Sequence, residues 1–429
     1  MKNIILKKIN NKSLSICIIG LGYVGLPLCM RFIQKKIKVY GIDKDKNKIN
    51  LLKKGKSYIK TLNTSYFKNH KKNISAEYSL ANEADIVIIC LPTPLKNKKP
   101  DLSYIKNCIK EVIPFLKKGQ TLILESTVFP YATNEILINK LNKKFYVGKD
   151  FFVGYSPERE NPGDKNFSYQ KTPKVVSGKT KECIQIVEKI YKLISKKVYV
   201  CPSIEVAETS KLLENIYRAI NIGLINEFKL ICKKLNLNVF DVIEAASTKN
   251  FGFQKFLPGP GWGGHCIPID PFYLAWKSKK SGYDPKLIFT AGEINTLMTN
   301  QISKEIFSFF KKKSIKILIL GLSYKKNVDD DRESPTYEFF KIFHKKKIYF
   351  DYYDPYFAST TLGRVNKINK KSIKFSSKNL KKYDATLIVT DHDNINYLKL
   401  YKYSKYIFDA RGIMRSKVKK DIFNKIFYV

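Results

Sequence analysis

The chain has 429 residues, and 44% of them are hydrophobic, which is enough for two or three domains with cores of their own. Its formal net charge of +42 comes from 79 lysines and arginines against 37 acidic residues. The basic residues are nearly all lysines scattered through every segment, without an arginine-rich patch or a recognition module, so a nucleic-acid-binding protein is disfavoured. A positive field still favours an anionic substrate or cofactor.

The eight cysteines show no paired spacing, and several lie within apolar stretches. This distribution predicts reduced thiols in the cytoplasm and argues against a disulfide framework or a zinc site. No apolar stretch reaches the ~18 residues that a membrane span requires. The N-terminus also lacks the apolar core and small-residue cleavage site of a signal peptide. We therefore expect no membrane span and a cytoplasmic location.

The first predicted elements are a strand at residues 15–19, a turn that reads GLGYVG, an amphipathic helix and a strand at residues 37–42. In such a unit the first glycine allows the tight turn, the second lets the backbone approach a pyrophosphate, and the third lets helix and strand pack closely. The carboxylate of Asp43 would accept from a ribose diol and repel a 2′-phosphate, which favours NAD over NADP. The predicted cofactor-binding residues here are Gly20, Gly22, Tyr23, Val24, Gly25 and Asp43. The alternative is a glycine turn that binds no ligand.

Further strands are predicted at residues 86–91, 121–125, 151–155 and 175–177, and polar turns follow the first three. The ligand of an open parallel sheet lies beyond the carboxyl ends of its strands, so these turns should converge on one crevice. Each turn could also be an ordinary turn or helix cap. The candidate site residues in these turns are Thr93, Thr127, Glu158 and Arg159.

A long helix is predicted at residues 205–235, and its apolar residues cover almost every face. A helix of this kind is buried, either between domains or between subunits. Polar residues at spacings of three, four and three form one stripe along it: Glu208, Lys211, Asn215 and Arg218. Because buried charges need partners or a function, the stripe is either part of a site or a ladder of structural pairs, Glu208 with Lys211 and Asn215 with Arg218.

Residues 257–274 read LPGPGWGGHCIPIDPFYL, which is too rich in proline and glycine for a helix or a strand. The loop is apolar and aromatic, unlike a solvated linker, and we interpret it as a rigid cradle whose glycines let the backbone approach a ligand. Cys266 in its middle is a candidate nucleophile, and the carboxylate of Asp270 follows four residues later. The alternative is a buried structural thiol.

A second α/β unit is predicted from strands at residues 315–321, 348–352, 385–389 and 406–408. Its first turn has one glycine and two lysines, so a cation such as Lys325 would hold a phosphate by charge; a surface lysine is the alternative. Arg332 in the DDDRESP segment is one of few arginines and a stronger candidate. The segment Asp391-His392-Asp393 is interpreted as a turn after a strand, because no other histidine or acidic cluster supports a metal site.

The motifs GLGYVGLPL, PTP, EST, SPERENPGD, KLLENIYRAINIGLINE, GGHCIPIDPFYL and GLSYKKNVDDDRESP follow one another over nearly the whole chain. In this combination the sequence resembles the UDP-glucose/GDP-mannose dehydrogenase family, and most of all its branch that oxidises UDP-N-acetylglucosamine. The UDP-glucose branch usually has a lysine directly before the aspartate of the cysteine motif, where this chain has Ile269. Tyr131-Ala132 is a local departure, because a glycine is common there.

The predicted fold class is α/β, with two Rossmann-like doubly wound domains joined by a long central helix. The resemblance assigns residues 1–202 to an NAD-binding domain and residues 306–429 to a UDP-sugar-binding domain. Residues 203–305 would form a central helical and dimerisation region that carries the cysteine loop. The long helix would join two chains in a homodimer.

The reaction implied by the resemblance oxidises the C6 alcohol of UDP-N-acetylglucosamine to an acid with two NAD and one water, for surface polysaccharide precursor synthesis. Cys266 would attack the intermediate aldehyde to form a thiohemiacetal, whose oxidation gives a thioester that water hydrolyses. Lys211 and Asn215 would stabilise the oxyanion, and Asp270 would position or deprotonate a water with Lys211 as its partner.

Glu158 would be the base for thioester hydrolysis, and Thr127 would orient the water. The substrate would contact Glu158, Arg159, Lys211, Asn215, Arg218, Gly261, Gly263 and Lys325. The cofactor would contact the glycine turn, Asp43, Thr93, Thr127 and Arg332. The role of His265 as a base for the adjacent thiol is left open.

UDP-N-acetylgalactosamine and UDP-glucose are the alternative substrates. A dinucleotide-binding protein without catalytic turnover is the alternative from a different class. The presence of Cys266, Lys211 and Asp270 argues against that second alternative.

Overall fold

The computed structural model describes residues 1–59, 62–97, 99–159, 172–264, 266–311, 314–363, 366–419, 421–422 and 424–429. The chain forms two compact units, Met1–Glu214 with Phe272–Tyr283, and Asn215–Pro271 with Asp284–Val429. The domain boundaries at residues 202 and 305 stay a prediction.

The first unit is built on an eight-stranded sheet. Its first strands are β1 (Ser15–Ile19), β2 (Lys38–Ile42), β3 (Ile74–Ser75) and β4 (Ile86–Ile89), and a separate hairpin follows, formed by β5 (Leu95–Lys96) and β6 (Lys99–Pro100). The sheet is completed by β7 (Thr121–Leu124), β8 (Phe152–Tyr155), β9 (Lys174–Gly178) and β10 (Val198–Val200). The strand order is β10-β9-β8-β7-β4-β1-β2-β3.

The direction of β9 departs from the uniformly parallel sheet that strand–helix alternation predicts. The six strands from β3 to β8 in this order run parallel, whereas β9 pairs antiparallel with β8 and parallel with β10. The start of β9 therefore lies at the same edge of the sheet as the carboxyl ends of β7 and β8.

Helices cover both faces of this sheet, which is why its central strands are continuous apolar runs. On α2 the buried side chains of Leu28, Cys29 and Phe32 join those of Ile18 and Ile88 in one core. The helices are α1 (Lys2–Asn10), α2 (Gly25–Gln34), α3 (Lys46–Lys53), α4 (Tyr66–Asn69), α5 (Ser103–Val112), α6 (Asn139–Leu141) and α7 (Lys181–Lys192). Single turns of other helix types are Lys71–Asn73, Tyr78–Glu83, Ile113–Phe115 and Asn134–Ile138.

The predicted long helix is confirmed as α8 (Ile204–Lys234), whose first part belongs to one unit and whose second part belongs to the other. The burial expected for a helix that is apolar all round is not achieved within one chain. Leu213, Tyr217, Leu224 and Ile231 are exposed. Three further helices follow: α9 (Val239–Ser247), α10 (Asp270–Lys280) and α11 (Lys286–Phe310).

The second unit has a five-stranded sheet that is parallel throughout, in the order β12-β11-β13-β14-β15. Its strands are β11 (Lys316–Leu320), β12 (Tyr349–Tyr353), β13 (Ala385–Ile388), β14 (Tyr406–Asp409) and β15 (Ile426–Tyr428). Its helices are α12 (Pro335–Lys345), α13 (Ser377–Leu380), α14 (Tyr397–Tyr403) and α15 (Met414–Lys417).

Phenylalanines of α12 form the centre of the second core, where Phe339, Phe340 and Phe343 pack with Ile317 and Ile319 of β11. The two sheets confirm the predicted α/β class with two Rossmann-like halves. Among the described residues, no helix combines the length and apolarity needed to cross a bilayer.

Candidate functional site

The glycine turn between β1 and α2 is shaped by close backbone approaches. The N–H of Gly20 donates to the carbonyl of Ile42 at 2.8 Å. A Cβ at Gly25 would lie 1.9 Å from the carbonyl oxygen of Gly20, so only glycine fits there. A Cβ at Gly22 would meet nothing within 4 Å. The turn is therefore closed towards the sheet and open above Gly22, where a pyrophosphate would approach.

Asp43 is fixed directly to this turn. Its Oδ2 accepts the N–H of Leu21 at 2.9 Å, and its Oδ1 accepts the N–H of Asp45 at 2.9 Å. Lys48 Nζ lies 3.4 Å from Oδ2, a neighbour that the motif did not reveal. The glycine turn leads directly into the N-terminus of α2, the end of a helix that favours an anion, and no side chain caps it. These residues fit NAD: the Asp43 carboxylate would accept from the ribose hydroxyls, and the pyrophosphate would approach above Gly22.

Two of the polar turns are tied together at the ends of β4 and β7. Ser126 Oγ donates to the carbonyl of Leu91 at 2.7 Å and accepts the N–H of Leu91 at 2.9 Å. Thr93 is buried, and Thr127, next to Ser126, is half-buried. The convergence predicted for these turns is thus present for β4 and β7, through a serine that was not among the predicted site residues.

Glu158 follows β8 and lies beside a buried lysine that the sequence did not single out. Lys174 Nζ lies 3.5 Å from Glu158 Oε2 and 3.2 Å from Glu125 Oε1. Arg159, next to Glu158 in the chain, pairs with Glu214 at 2.7 Å. The sequence did not predict a role for Lys174, because this chain is rich in surface lysines and only the antiparallel pairing of β9 brings Lys174 to the site.

Glu208 on α8 serves a backbone loop. Its two carboxylate oxygens accept the N–H groups of Tyr131 and Thr133 at 2.7 and 2.8 Å. Burial raises the pKa of Glu208 to about 7, although these hydrogen bonds act in the opposite direction. Tyr131 has a φ of 74°, the left-handed conformation that favours glycine. The backbone at Tyr131, where this chain departs from the family pattern, therefore keeps a conformation typical of glycine. Glu208 binds this loop, and it does not form the ion pair with Lys211 that was the structural alternative.

Cys266 is exposed, whereas the other seven cysteines are buried. Its carbonyl accepts the N–H groups of Ile269 at 3.1 Å and Asp270 at 2.8 Å, which forms the turn that leads into α10. No disulfide joins any two of the eight cysteines, all of which lie within the described residues. The alternative of a buried thiol does not apply to Cys266, and the reduced state of the thiols stays a prediction. His265 lies outside the described residues.

The loop before the thiol is locked to the loop after β11. The N–H of Gly264 donates to the carbonyl of Arg332 at 3.0 Å. Gly264 has a φ of 81°, and a Cβ there would lie 2.7 Å from the ring of Tyr324. Burial raises the pKa of Tyr324 to about 12, and the nearby Asp330 and Cys266 act in the same direction. Cys266 is thus brought to the segment that carries Lys325 and Arg332.

Asn215 and Asp270 meet in this unit. Asn215 Nδ2 donates to Asp270 Oδ2 at 2.6 Å, and Asp270 is buried. The ladder alternative, which paired Asn215 with Arg218, is not what the structure contains. Arg218 is exposed, and it lies close enough to Tyr324 to oppose the rise of that residue's pKa.

Arg332 is already paired. Its Nε and Nη2 bind the carboxylate of Asp330 at 2.9 and 2.7 Å, and its side chain is 43% exposed. Lys325 is half-buried in the same loop. An anion bound here would meet a guanidinium whose orientation is fixed in advance by Asp330.

The second Rossmann-like half repeats the geometry of the first. Asp354 follows β12 as Asp43 follows β2, and its Oδ2 accepts the N–H of Leu322 at 2.6 Å. The same oxygen lies 3.1 Å from Nε2 of the buried His392, whose Nδ1 accepts the N–H of Asn327 at 3.0 Å. His392 is therefore engaged in tying loops together. Among the described residues, no three side chains of the types that bind metals come together.

Comparison with known proteins gives consistent results. Residues 14–195 match the NAD-binding domain of the UDP-glucose/GDP-mannose dehydrogenase family, residues 205–297 its central domain, and residues 318–416 its UDP-binding domain. The chain is 34% identical to UDP-N-acetyl-D-glucosamine 6-dehydrogenase of Salmonella typhi in an alignment of 393 positions that covers 89% of this chain and 91% of that protein. It is 33% identical to UDP-N-acetyl-D-mannosamine dehydrogenase of Methanococcus maripaludis in an alignment of 430 positions that covers 94% of each chain.

A solved structure of UDP-D-ManNAc dehydrogenase from Pyrococcus horikoshii matches with a TM-score of 0.83 and 29% identity, covering 93% of this chain and 96% of that one. Together the three family models cover parts of both units, and the first of them is an NAD-binding domain. The chain is thus an NAD-dependent UDP-sugar dehydrogenase and a member of the UDP-glucose/GDP-mannose dehydrogenase family.

Proposed function

We propose that the chain oxidises the C6 alcohol of UDP-N-acetylglucosamine to the carboxylic acid, a four-electron reaction that supplies a precursor for a surface polysaccharide. The observation that carries this proposal is Cys266. It is the exposed cysteine of this chain, on a loop whose shape is fixed by Gly264 and Tyr324. A thiol in that setting is suited to hold an aldehyde as a covalent adduct.

The proposed mechanism needs one kind of external oxidant. NAD, when bound, would accept a hydride in each of the two oxidations, so two NAD are used per sugar. The thiolate of Cys266 adds to the aldehyde carbon and gives a thiohemiacetal, and loss of a hydride and a proton converts this adduct into a thioester. Water then bonds to the thioester carbon, the C–S bond breaks with its electron pair on sulfur, and the acid leaves.

Lys211 and Asn215 would stabilise the oxyanions of these adducts. An amide NH₂ group has two donors, so Asn215 can keep one N–H on Asp270 and offer the other to an oxyanion. Lys211 is a buried cation on the same stripe of α8. Asp270 would position Asn215 and a water molecule, with Lys211 as its electrostatic partner.

Glu158 is the proposed base for thioester hydrolysis, and Thr127 would orient the attacking water. Glu158 is partly exposed and follows a strand end, where a water can reach it. For the substrate we propose contacts with Arg159, Arg218, Gly261, Gly263 and Lys325. For the cofactor we propose contacts with Tyr23, Val24, Thr93 and Arg332 in addition to the glycine turn and Asp43.

UDP-N-acetylmannosamine is the second candidate substrate, because relatives of similar identity and the solved structure from Pyrococcus horikoshii carry that name. The discriminating experiment follows NADH formation with UDP-N-acetylglucosamine, UDP-N-acetylmannosamine, UDP-N-acetylgalactosamine and UDP-glucose. We expect the highest kcat/KM with UDP-N-acetylglucosamine and two NADH per sugar. A higher value with the manno sugar would reassign the substrate, one NADH per sugar would refute the thioester route, and no NADH with any sugar would indicate a non-catalytic binding protein.

We also propose a homodimer through α8, in a reducing compartment such as the cytoplasm, which suits eight described cysteines without a disulfide between them. Exposed apolar side chains lie along α8 at successive spacings of four, seven, four and three residues: Leu213, Tyr217, Leu224, Phe228 and Ile231. Such spacing forms one seam that a second helix can cover. Light scattering after size-exclusion chromatography should give twice the chain mass, and Leu213→Lys with Leu224→Lys should give a monomer. A monomeric unmodified chain would refute the dimer.

A further inference from the structure

A buried lysine lies between two carboxylates at one edge of the first sheet. Glu125 directly follows β7, Glu158 follows β8, and Lys174 is the first residue of the antiparallel strand β9. This strand direction brings all three side chains to the same edge. Lys174 Nζ lies 3.2 Å from Glu125 Oε1 and 3.5 Å from Glu158 Oε2, and it donates to the carbonyl of Pro157 at 3.1 Å.

The three charges differ in their access to solvent. The side chain of Lys174 is 3% exposed and that of Glu125 is 0% exposed, whereas that of Glu158 is 18% exposed. The hydroxyl of Tyr191 on α7 also donates to Glu125 Oε1, the same oxygen that faces Lys174. Burying an ion pair is costly, so such a pair is weak evidence for a purely stabilising role. The one carboxylate that water can reach is the proposed base.

The surroundings keep the lysine charged. Burial by itself would lower the pKa of Lys174, but the attraction of Glu125 and then of Glu158 outweighs it, and its pKa is raised. Burial raises the pKa of Glu125, and Lys174 opposes that rise. The ammonium is therefore a permanent positive charge beside Glu158 at neutral pH.

Other groups around Glu158 do not replace that charge. The N–H of Arg159 donates to Glu158 Oε1 at 2.9 Å, while the Arg159 guanidinium pairs with Glu214 at 2.7 Å. Cys90, at the end of β4, is a buried thiol whose pKa is raised by burial and further by Glu125 and Glu158. Lys174, Glu125 and Tyr191 are further charged or titratable groups in the described surroundings of Glu158.

We propose that Lys174 is a positioning residue for the reaction: its ammonium, anchored by Glu125, holds the Glu158 carboxylate in place. This inference rests on the proposed role of Glu158 as the base of thioester hydrolysis. In that step an O–H bond of water breaks and its proton goes to Glu158. The water oxygen bonds to the thioester carbon, and the C–S bond breaks to release the thiolate of Cys266. A carboxylate that lost the neighbouring ammonium would be less well placed to accept the proton.

The test separates hydrolysis from oxidation in single turnovers, with NADH absorbance for oxidation and intact-protein mass for the acyl-enzyme. Lys174→Met removes the ammonium and keeps the stem. We expect acyl-enzyme to accumulate and hydrolysis to slow about tenfold or more. The first NADH should form at the normal rate. Lys174→Arg, which keeps a cation, should restore hydrolysis, and Lys192→Met, on the exposed surface of α7, is the control with no expected effect.

Because Lys174→Met leaves Glu125 buried without its cation, the double variant Lys174→Met/Glu125→Gln makes the test independent of folding. It should show the same slow hydrolysis, with the first NADH formed at the normal rate. Normal hydrolysis in both variants would overturn the inference, and so would a failure of Lys174→Arg to restore hydrolysis. So would an equal loss in oxidation and hydrolysis, which would mean a purely structural lysine. Normal hydrolysis by Glu158→Gln would instead refute the proposed base, whatever the lysine variants do.

Discussion

Asn215 and Asp270 are 55 residues apart in the chain, yet Asn215 Nδ2 donates to Asp270 Oδ2 at 2.6 Å. The helix α8 supplies the amide, and the turn after Cys266 supplies the carboxylate. This hydrogen bond fixes the amide orientation that the proposed oxyanion contact requires. The residue that matters for Asn215 is therefore its distant partner, not its helical neighbour Arg218.

We expect Asn215→Asp to disrupt this arrangement, because it replaces a donor by a carboxylate that faces Asp270. Loss of one oxyanion donor should lower kcat by about 10²–10³-fold. Asn221→Asp makes the same substitution on the same helix at a residue whose amide donates to the carbonyl of Tyr217. It should retain kcat. Near-normal NADH formation by Asn215→Asp would remove the amide from the mechanism.

Thiol labelling should single out Cys266, since the other seven cysteines are buried. A native chain treated briefly with iodoacetamide should gain one adduct and lose activity, whereas a denatured chain should gain eight. Cys266→Ser should gain none in the native state and should stop turnover before the acid is released. Labelled enzyme that still produces acid would contradict the nucleophile. Mass spectrometry of the peptides gives the adduct position.

Gly264→Ala should impair the loop that carries Cys266, because alanine disfavours the backbone conformation of Gly264 and because its Cβ would clash with Tyr324. A matched control separates these two effects. Gly264 has a φ of 81° and a Cβ there would lie 2.7 Å from the Tyr324 ring, whereas Gly282 has a φ of 90° and open space around it. Gly282→Ala should cost only the conformational penalty of about 1–2 kcal/mol. Gly264→Ala should add a packing penalty of about 1–3 kcal/mol and lower kcat. Equal unfolding free energies and an unchanged kcat would show that the ring does not constrain the loop.

Glu208 should make stability depend on pH near neutrality. Its pKa is raised from 4.5 to about 7 by burial, so the folded state binds a proton that the unfolded state has lost. The free energy of unfolding should therefore fall as pH rises from about 4.5 to about 7, by roughly 3 kcal/mol from this group. Denaturant unfolding at several pH values should show that Glu208→Gln removes this slope.

The matched control for that experiment is Glu188→Gln on α7, whose carboxylate forms a surface pair with Lys192. It should keep the slope of the unmodified chain. Glu208→Gln should also place an amide donor against one of the N–H groups of Tyr131 and Thr133, which costs about 1–3 kcal/mol. A stability difference between Glu208→Gln and the unmodified chain that stayed constant from pH 5 to pH 8 would contradict the raised pKa.

Asp43→Asn should relax the choice of cofactor. The amide oxygen can still accept the N–H of Leu21, but the negative charge is lost, and Lys48 Nζ, 3.4 Å from the carboxylate, is left to attract a 2′-phosphate. We expect kcat/KM for NADP to rise about tenfold, the effect of ~1.4 kcal/mol. Lys48→Met in the same background should cancel the gain. Asp45→Asn, which alters the N-cap of α3, should leave NAD preferred.

The parts of the fold that follow from local sequence were predictable. The strand, glycine turn, helix and Asp43 of the first unit depend on residues close in the chain, and β1 and β2 lie within one residue of their predicted bounds. The single helix α8 and the irregular loop of Cys266 likewise reflect local propensity, since apolar periodicity makes a helix and dense proline and glycine prevent one.

By itself, the sequence determined the fold class, the positions of the central strands and of the long helix, and the identity of the nucleophile candidate, because each depends on residue types within one or two turns of chain. Tertiary structure alone decided that Lys174 joins Glu158, that Asn215 binds Asp270 and that Glu208 serves the loop at Tyr131. Those partners are set by strand direction and by the packing of distant segments. The chemical properties of a polar side chain are known from the sequence, but its interaction partner depends on how distant parts of the backbone fold around it.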